Sequence, residues 1–563
     1  MPCDRGQDAK RRRRASEAVR APPLAAISFP PREDAWFARR SDAQLATLIG
    51  CVLFALAAWT IPFMDVAPYQ DLPAHLATVT ILTHPDKYPE YVFNGFFKTN
   101  GALIAFVYFV GKLTGIKLAA RLFILGILAA NAFVFPRFVL AFTDRARMIV
   151  ASFFLLPMIH NWWVSMGMLN FSLAVALSLW VLMALDRSRA KPSLSGAALI
   201  ATLSIATWYA HAVPLFFLFA LVVVEVLVQP SWRARLKLAK LFAPPLAPAA
   251  LLVLSFALLQ TRGARAAPTN VMGDVEWSPP IWTLYDVWAR WFYGFTILSA
   301  STIVPAVVLA AILVWRFHQA PRFFRPLAMA GMLLGCLLLP YTLPSFGYVN
   351  LRLVPLLWMG ALLRVPTKAP RWLAFVLVAS SALYAAGQSI DLFRNARDFN
   401  AFAAGMNDIP EGARLLTLNF GTRVTSKNTW SLHHASGLYV IDKLTSAQDV
   451  WADSPAMPIM HRTPLDAASD PAMIGRFISA MATRASFCES EKRTGMIAGE
   501  PADCETRWRA IWDERWRAWS ERYDHVILWA APPDVLDVMP AHFRLELESG
   551  LLRVYARRGA PAR

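Results

Sequence analysis

Residues 42–75 read DAQLATLIGCVLFALAAWTIPFMDVAPYQDLPAH. The first part is an apolar run long enough to cross a hydrocarbon core of about 30 Å, which takes about 20 residues. The second part, Met64-Asp65-Val66-Ala67-Pro68-Tyr69-Gln70-Asp71-Leu72-Pro73-Ala74-His75, places two carboxylates and an imidazole where the chain leaves the bilayer. A span that opens directly onto acids and a histidine predicts a membrane protein with polar chemistry at one face.

Comparable apolar runs recur downstream. With the first they read as 43–63, 118–142, 148–165, 169–186, 194–210, 212–229, 241–259, 301–317, 326–344, 350–364 and 371–388, which predicts about eleven helical spans. A shorter stretch, 102–111, ends at Lys112 and Lys117 and is expected to lie on the membrane as an interfacial helix. Composition agrees: 56% of the 563 residues are hydrophobic and 17% charged, where soluble domains carry about a quarter charged. Mean hydropathy is +0.40.

The net charge of +18 would point to nucleic acid in a soluble protein. Here the positive-inside bias accounts for it, and no nucleic-acid partner is expected. The basic residues fall in alternate connections: Arg145 and Arg147; Arg187, Arg189 and Lys191; Arg233, Arg235, Lys237 and Lys240; Arg316, Arg322 and Arg325; Arg364, Lys368 and Arg371. The intervening loops 160–168, 209–213 and 344–349 contain no Lys or Arg. This alternation predicts an odd number of spans, with the N-terminus inside and the C-terminus outside. Counting 102–116 as a span would put the basic loops on the wrong side.

Three regions follow. Residues 1–41, with the run Lys10-Arg11-Arg12-Arg13-Arg14, read as a disordered cytoplasmic tail rather than a cleaved signal. Residues 42–389 form the transmembrane domain, with outer loops 64–117 and 260–300. Residues 390–563 read as an extracytoplasmic α/β domain. They include strand-like 414–418 and 526–529, and a hairpin of 543–547 and 551–555 around Glu548-Ser549-Gly550. Five cysteines show no metal spacing. Cys488 and Cys504 share the outer compartment, and whether they pair is left open.

A carboxylate at the membrane exit can act as a general base or hold a divalent cation against a phosphate. The plainer alternative is that Asp65 and Asp71 cap short helices and His75 is a surface residue. In 160–171, Trp162 and Trp163 are expected to form part of an aromatic belt. Glu225 lies within a span, where it either serves function or pairs with a nearby Arg.

The layout of one span, an acidic outer loop, an interfacial helix, many further spans and an outer C-terminal domain resembles the GT-C superfamily. Asp71-Leu72-Pro73-Ala74-His75 resembles a DxPxH variant of divergent bacterial members, although the adjacent acidic pair usual in the family is absent. The resemblance implies a membrane glycosyltransferase taking sugar from a polyprenyl-phosphate donor. The acceptor would be a glycan, lipid or protein of the cell envelope, at the outer face of a bacterial inner membrane and among membrane lipids. It implies Asp71 as general base, Asp65 as the other acid, and His75 as an assisting or metal-contacting group. A divalent metal, Mg or Mn, would be held by Asp65 and Asp71; metal-independent members also belong to the resemblance. Arg352 and His211, at outer span boundaries, would hold the lipid phosphate. Arg262, Arg290 and Trp288 would contact substrate from the 260–300 loop, which reads equally as an interfacial helix. Two other classes stay open: a transporter or flippase of a lipid-linked or anionic substrate, and a non-catalytic assembly protein of the same fold.

Overall fold

The computed structural model describes residues 26–27, 40–263, 275–292, 297–343, 347–421, 429–448, 450–452, 457–463, 470–493 and 501–559. The tail expected to be disordered lies outside them, apart from Ala26–Ile27 (β1) and Arg40. β1 pairs with β3, Ala369–Pro370.

Helix α1, Asp42–Ala58, starts where the sequence supplies a capping box. The Ser41 hydroxyl accepts the Gln44 N–H and the Gln44 side chain accepts the Ser41 N–H. The chain then turns through Pro62 into the first outer loop of the expected topology, which holds α2 (Leu72–Thr83), β2 (Tyr91–Phe93) and α3 (Ala102–Thr114), the helix expected to be interfacial. Helix α4, Ile116–Phe142, returns across the bundle.

The next apolar run is not a continuous span. It forms α5 (Arg145–Ser152), α6 (Leu156–Ile159) and α7 (Trp162–Ser165), with a bend of 77° after α5. Pro157 sits at the start of α6. A proline there donates no N–H and crowds the carbonyl four residues back, so the helix breaks. The segment is a broken span or a re-entrant loop.

The bundle continues through α8 (Leu169–Ala190), α9 (Leu194–Ala210), α10 (Ala212–Leu227), α11 (Trp232–Gly263), α12 (Pro280–Phe292), α13 (Ile303–Trp315), α14 (Pro326–Leu338), α15 (Val354–Leu362) and α16 (Arg371–Phe402). Helix therefore occupies every expected apolar run. Among the described residues, five helices are long and apolar enough to cross a membrane, and a sixth if the bent pair counts as one. Seven shorter apolar helices among the described residues, α15 counted from Asn350, fall within 10–17 residues; at about 1.5 Å per residue they fall short of a full hydrocarbon core.

Glu225 is fully buried and clasped by Arg325 at 2.8 and 3.1 Å, by Arg189 at 3.0 Å and by the Phe323 N–H at 3.2 Å. It is an internal staple between α8, α10 and the connection into α14.

Helix α16 runs without a break through the expected boundary at residue 390 and carries the chain into the C-terminal domain, the outer domain of the expected topology. A four-stranded sheet follows in the order β4 (Leu415–Asn419), β6 (His525–Trp529), β8 (Leu552–Arg557), β7 (Phe543–Ser549). β4 and β6 are parallel, the other pairs antiparallel. Gly550 closes the expected hairpin at φ +60°. Three helices, α18 (Pro471–Met481), α19 (Arg484–Arg493) and α20 (Pro501–Arg522), pack on one side. Trp508, Trp512, Trp516 and Trp519 recur on one face of α20 and share a core with Leu416, Leu418, Val526 and Leu528. Cys488 and Cys504 form a disulfide that ties α19 to α20. A short helix, α17 (Gly437–Lys443), and strand β5 (Ile459–His461) join this domain to the first outer loop, β5 by pairing with β2.

Candidate functional site

Asp71 immediately precedes α2, whose first turn contains Pro73. The turn after α7 receives it from the bundle side. The Asp71 N–H donates to the Met166 carbonyl at 3.1 Å, and the Gln70 N–H to the Ser165 carbonyl at 3.4 Å. Gly167 has φ +85°, and a Cβ on it would come within 2.8 Å of the Asp71 nitrogen and 3.0 Å of the Asp71 Cβ. Only a glycine lets that turn approach so closely. Asp71 occupies the N-cap position, yet its side chain makes no capping bond. Its carboxylate is 14% exposed and lies 3.6 Å from His434 Nε2. The Gln70 amide nitrogen lies 3.4 Å from the same oxygen, Oδ1.

His75, one helical turn on, is buried rather than at the surface. Its ring packs on Trp451 with centroids 4.9 Å apart, and its Nδ1 has no hydrogen-bond partner among the described residues. Burial, and then the neighbouring His434, push its pKa down to about 3, so the imidazole is neutral at physiological pH.

Asp65 faces elsewhere. Its carboxylate is 63% exposed and bonds Lys117 at 2.6 Å; Lys117 also holds Asp442 of α17 at 2.9 Å. The two acids thus have separate partners. Among the described residues no three His, Cys, Asp or Glu side chains group so as to hold a metal ion.

On the bundle side of Asp71, Arg352 is buried in the turn that leads into α15. Its Nη1 lies 2.7 Å from His211 Nε2, and its other nitrogens donate to the Gly347 carbonyl at 3.1 and 3.2 Å. Trp163 and Phe171 lie beneath the guanidinium at 5.8 and 5.2 Å. No carboxylate forms an ion pair with Arg352 among the described residues, although Asp71 is close enough for its charge to act on it. His211 Nδ1 faces the Val213 N–H at 3.2 Å. A neutral imidazole offers one acceptor nitrogen and carries one N–H of its own. Whichever tautomer is assigned, the Arg352 and Val213 N–H groups cannot both meet an acceptor, and one of them faces the imidazole's own N–H. Burial and the adjacent Arg352 hold His211 well below its ordinary pKa, so it does not gain a second N–H. The surplus of donors in a buried place is the chemistry of an anion site.

Trp162 and Trp163 are buried against Tyr348, not placed in a lipid-facing belt. Trp288, on α12, donates to the Thr302 hydroxyl at 3.2 Å and is half-buried against the bundle. Arg262 and Arg290 lie in α11 and α12, and their side chains fall outside the described residues. The structure therefore brings Asp71 and His75 together and pairs Arg352 with His211, near enough for the Asp71 charge to act on the guanidinium; it sets Asp65 apart. Sequence reading missed His434, Gln70 and Gly167. The glycine at the end of a tight aromatic turn was the one readable signal. A separate cleft of about 670 Å³ on the outer domain, bordered by Arg517, His542 and Arg558, shares no residue with this site.

No protein-family model and no curated protein sequence matches the chain. Among solved structures it is similar to ArnT from Cupriavidus metallidurans bound to undecaprenyl phosphate, at 10% identity and a TM-score of 0.51. The match covers 92% of this chain and 98% of that one. At this identity the likeness is one of fold, and with the long apolar helices it makes the chain an integral membrane protein with a GT-C-like fold.

Proposed function

We propose that the protein is a membrane glycosyltransferase that moves a sugar from a polyprenyl-phosphate donor to a cell-envelope acceptor at the outer face of a bacterial inner membrane. What carries the reading is the neighbourhood of one shielded carboxylate, Asp71, and one buried guanidinium without an ion-pair partner among the described residues, Arg352. The similarity in fold to a protein whose structure holds undecaprenyl phosphate supports it.

In this reading Arg352 and the His211 Nε2–H donate to the donor phosphate, which relieves the crowding of N–H groups between them. Asp71 removes the proton from an acceptor hydroxyl. The acceptor oxygen bonds the anomeric carbon on the face opposite the phosphate, and the carbon–oxygen bond to phosphate breaks with its electron pair going to that oxygen. Polyprenyl phosphate leaves, and the new glycosidic bond has inverted configuration. Arg352 stabilises the charge that grows on the leaving phosphate. Asp65, held by Lys117, takes no part, and no step needs a metal.

The test is transfer of labelled sugar from a panel of polyprenyl-phosphate donors in membranes, with wild type and Asp71→Asn at equal abundance. Transfer by the wild type, reduced about a hundredfold or more in the variant, is the expected result. Equal transfer by both would remove Asp71 from the chemistry. Absence of transfer by the wild type from every donor would overturn the assignment and favour a carrier of lipid-linked substrate.

A further inference from the structure

The outer domain is clamped onto the turn that carries Asp71. Gly437, at the start of α17, sits where a Cβ would come within 2.5 Å of the Pro73 carbonyl oxygen. The Trp430 N–H donates to the Gln70 side-chain oxygen at 2.8 Å. Asn419, at the end of β4, donates to the Leu432 carbonyl at 2.7 Å and so ties this segment back to the sheet. Within it, Leu432, Ala435 and Leu438 fill the core under the sheet. His434 leaves that core and faces the membrane domain. It is 5% exposed, walled by His433 at 4.4 Å and Trp451 at 4.8 Å, with Nε2 directed at Asp71 Oδ1.

We propose that His434 is a positioning residue for the base, supplied to the membrane-domain site by the outer domain; this rests on the reading of Asp71 as the base. At 3.6 Å the contact is longer than a hydrogen bond. A small closure on substrate binding makes it one, as catalytic contacts commonly tighten in the complex. The His434 Nε2–H and the Gln70 amide then act on the same carboxylate oxygen from two directions. Two donors on one oxygen hold the carboxylate and fix its plane before the acceptor arrives. The outer domain thus completes the reaction centre as well as covering it, and the site is assembled only when that domain is docked.

The experiment uses the purified full-length chain in proteoliposomes and measures kcat and donor KM for wild type, Asp71→Asn, His434→Phe and His434→Gln, per folded molecule. Phenylalanine keeps a ring against His433 and Trp451 but has no donor; glutamine restores an N–H. The expected result is a kcat about ten- to a hundredfold lower in His434→Phe, with donor KM unchanged and most of the loss recovered in His434→Gln. If His434→Phe turns over like wild type while Asp71→Asn is inactive, the positioning role is wrong and the base stands. If His434→Gln is as impaired as His434→Phe, the histidine matters only for packing and the inference is again overturned. If Asp71→Asn turns over like wild type, the base reading itself fails and takes this one with it.

Discussion

Asp65 and Asp71 stand six residues apart in one loop, and the fold gives them opposite surroundings. Asp65 is largely exposed and serves as one half of a shared ion pair: Lys117 holds it and Asp442 together, linking loop, bundle and outer domain. Asp71 is shielded, meets the His434 and Gln70 nitrogens and lies within the field of a buried arginine. In sequence they are alike, two acids beyond a span. What separates them is the packing of the turn after α7 and of the His434 segment against one of them. A carboxylate gains chemistry from what excludes water around it, and only Asp71 has that.

The largest effect that would test this contrast comes from the turn under Asp71. Gly167→Ala adds a Cβ where 2.8 Å separates it from the Asp71 nitrogen, at a φ of +85° that alanine resists. The substitution should cost about 1–2 kcal/mol in backbone strain alone. It should also lower sugar transfer by about a hundredfold, because displacing the base by about 1 Å is enough for that. A melting curve and a transfer rate per folded molecule separate the two effects. Full transfer in Gly167→Ala would mean that the turn does not hold the base, and the contrast with Asp65 would lose its structural cause.

A smaller effect concerns acid stability on the shielded side. The pKa of His75 falls from 6.5 to about 3 in the folded chain, by burial first and His434 second. The unfolded chain therefore binds more protons between these values, so the stabilisation is complete above 6.5 and is lost as pH falls toward 3. The slope is about 1.4 kcal/mol per pH unit for one such group. His75→Gln removes the titration, and its melting temperature should vary less with pH across that window than that of the wild type. Parallel curves for the two proteins would show that His75 is solvated, and the shielded pocket would have to be redrawn.

How much of this was readable follows from what sets each feature. Lipid dictates composition over long runs, so helices occupy the apolar stretches as expected, and the hairpin at Gly550 was legible from its turn chemistry. The break after α5 was legible in principle, since Pro157 stands inside that run. The burial of His75 was not: an imidazole one turn after an acid reads as surface until Trp451 is known to cover it. His434 was least accessible, because a residue from the far end of the chain reaches Asp71 only after the outer domain has folded and docked. Arg352 and His211 were each visible at a span boundary, but their approach to 2.7 Å joins two helical turns whose order in space no local pattern encodes.

The smallest effect belongs to the exposed acid, and it is the sharpest check on the comparison because it must be nearly nothing. Exposed ion pairs contribute about 0–1 kcal/mol, and in Asp65→Asn the lysine still keeps Asp442. Stability should therefore shift by less than about 1 kcal/mol, more at low salt than at high, with transfer at the wild-type rate. Removing both partners in Asp65→Asn with Asp442→Asn leaves Lys117, 25% exposed, without a counter-charge. The double variant should lose more than the two single variants together, because each single retains a partner for the same ammonium. A tenfold loss of transfer in Asp65→Asn alone, with melting unchanged, would show that the exposed acid reaches the chemistry after all. The separation of the two carboxylates by their surroundings would then be wrong.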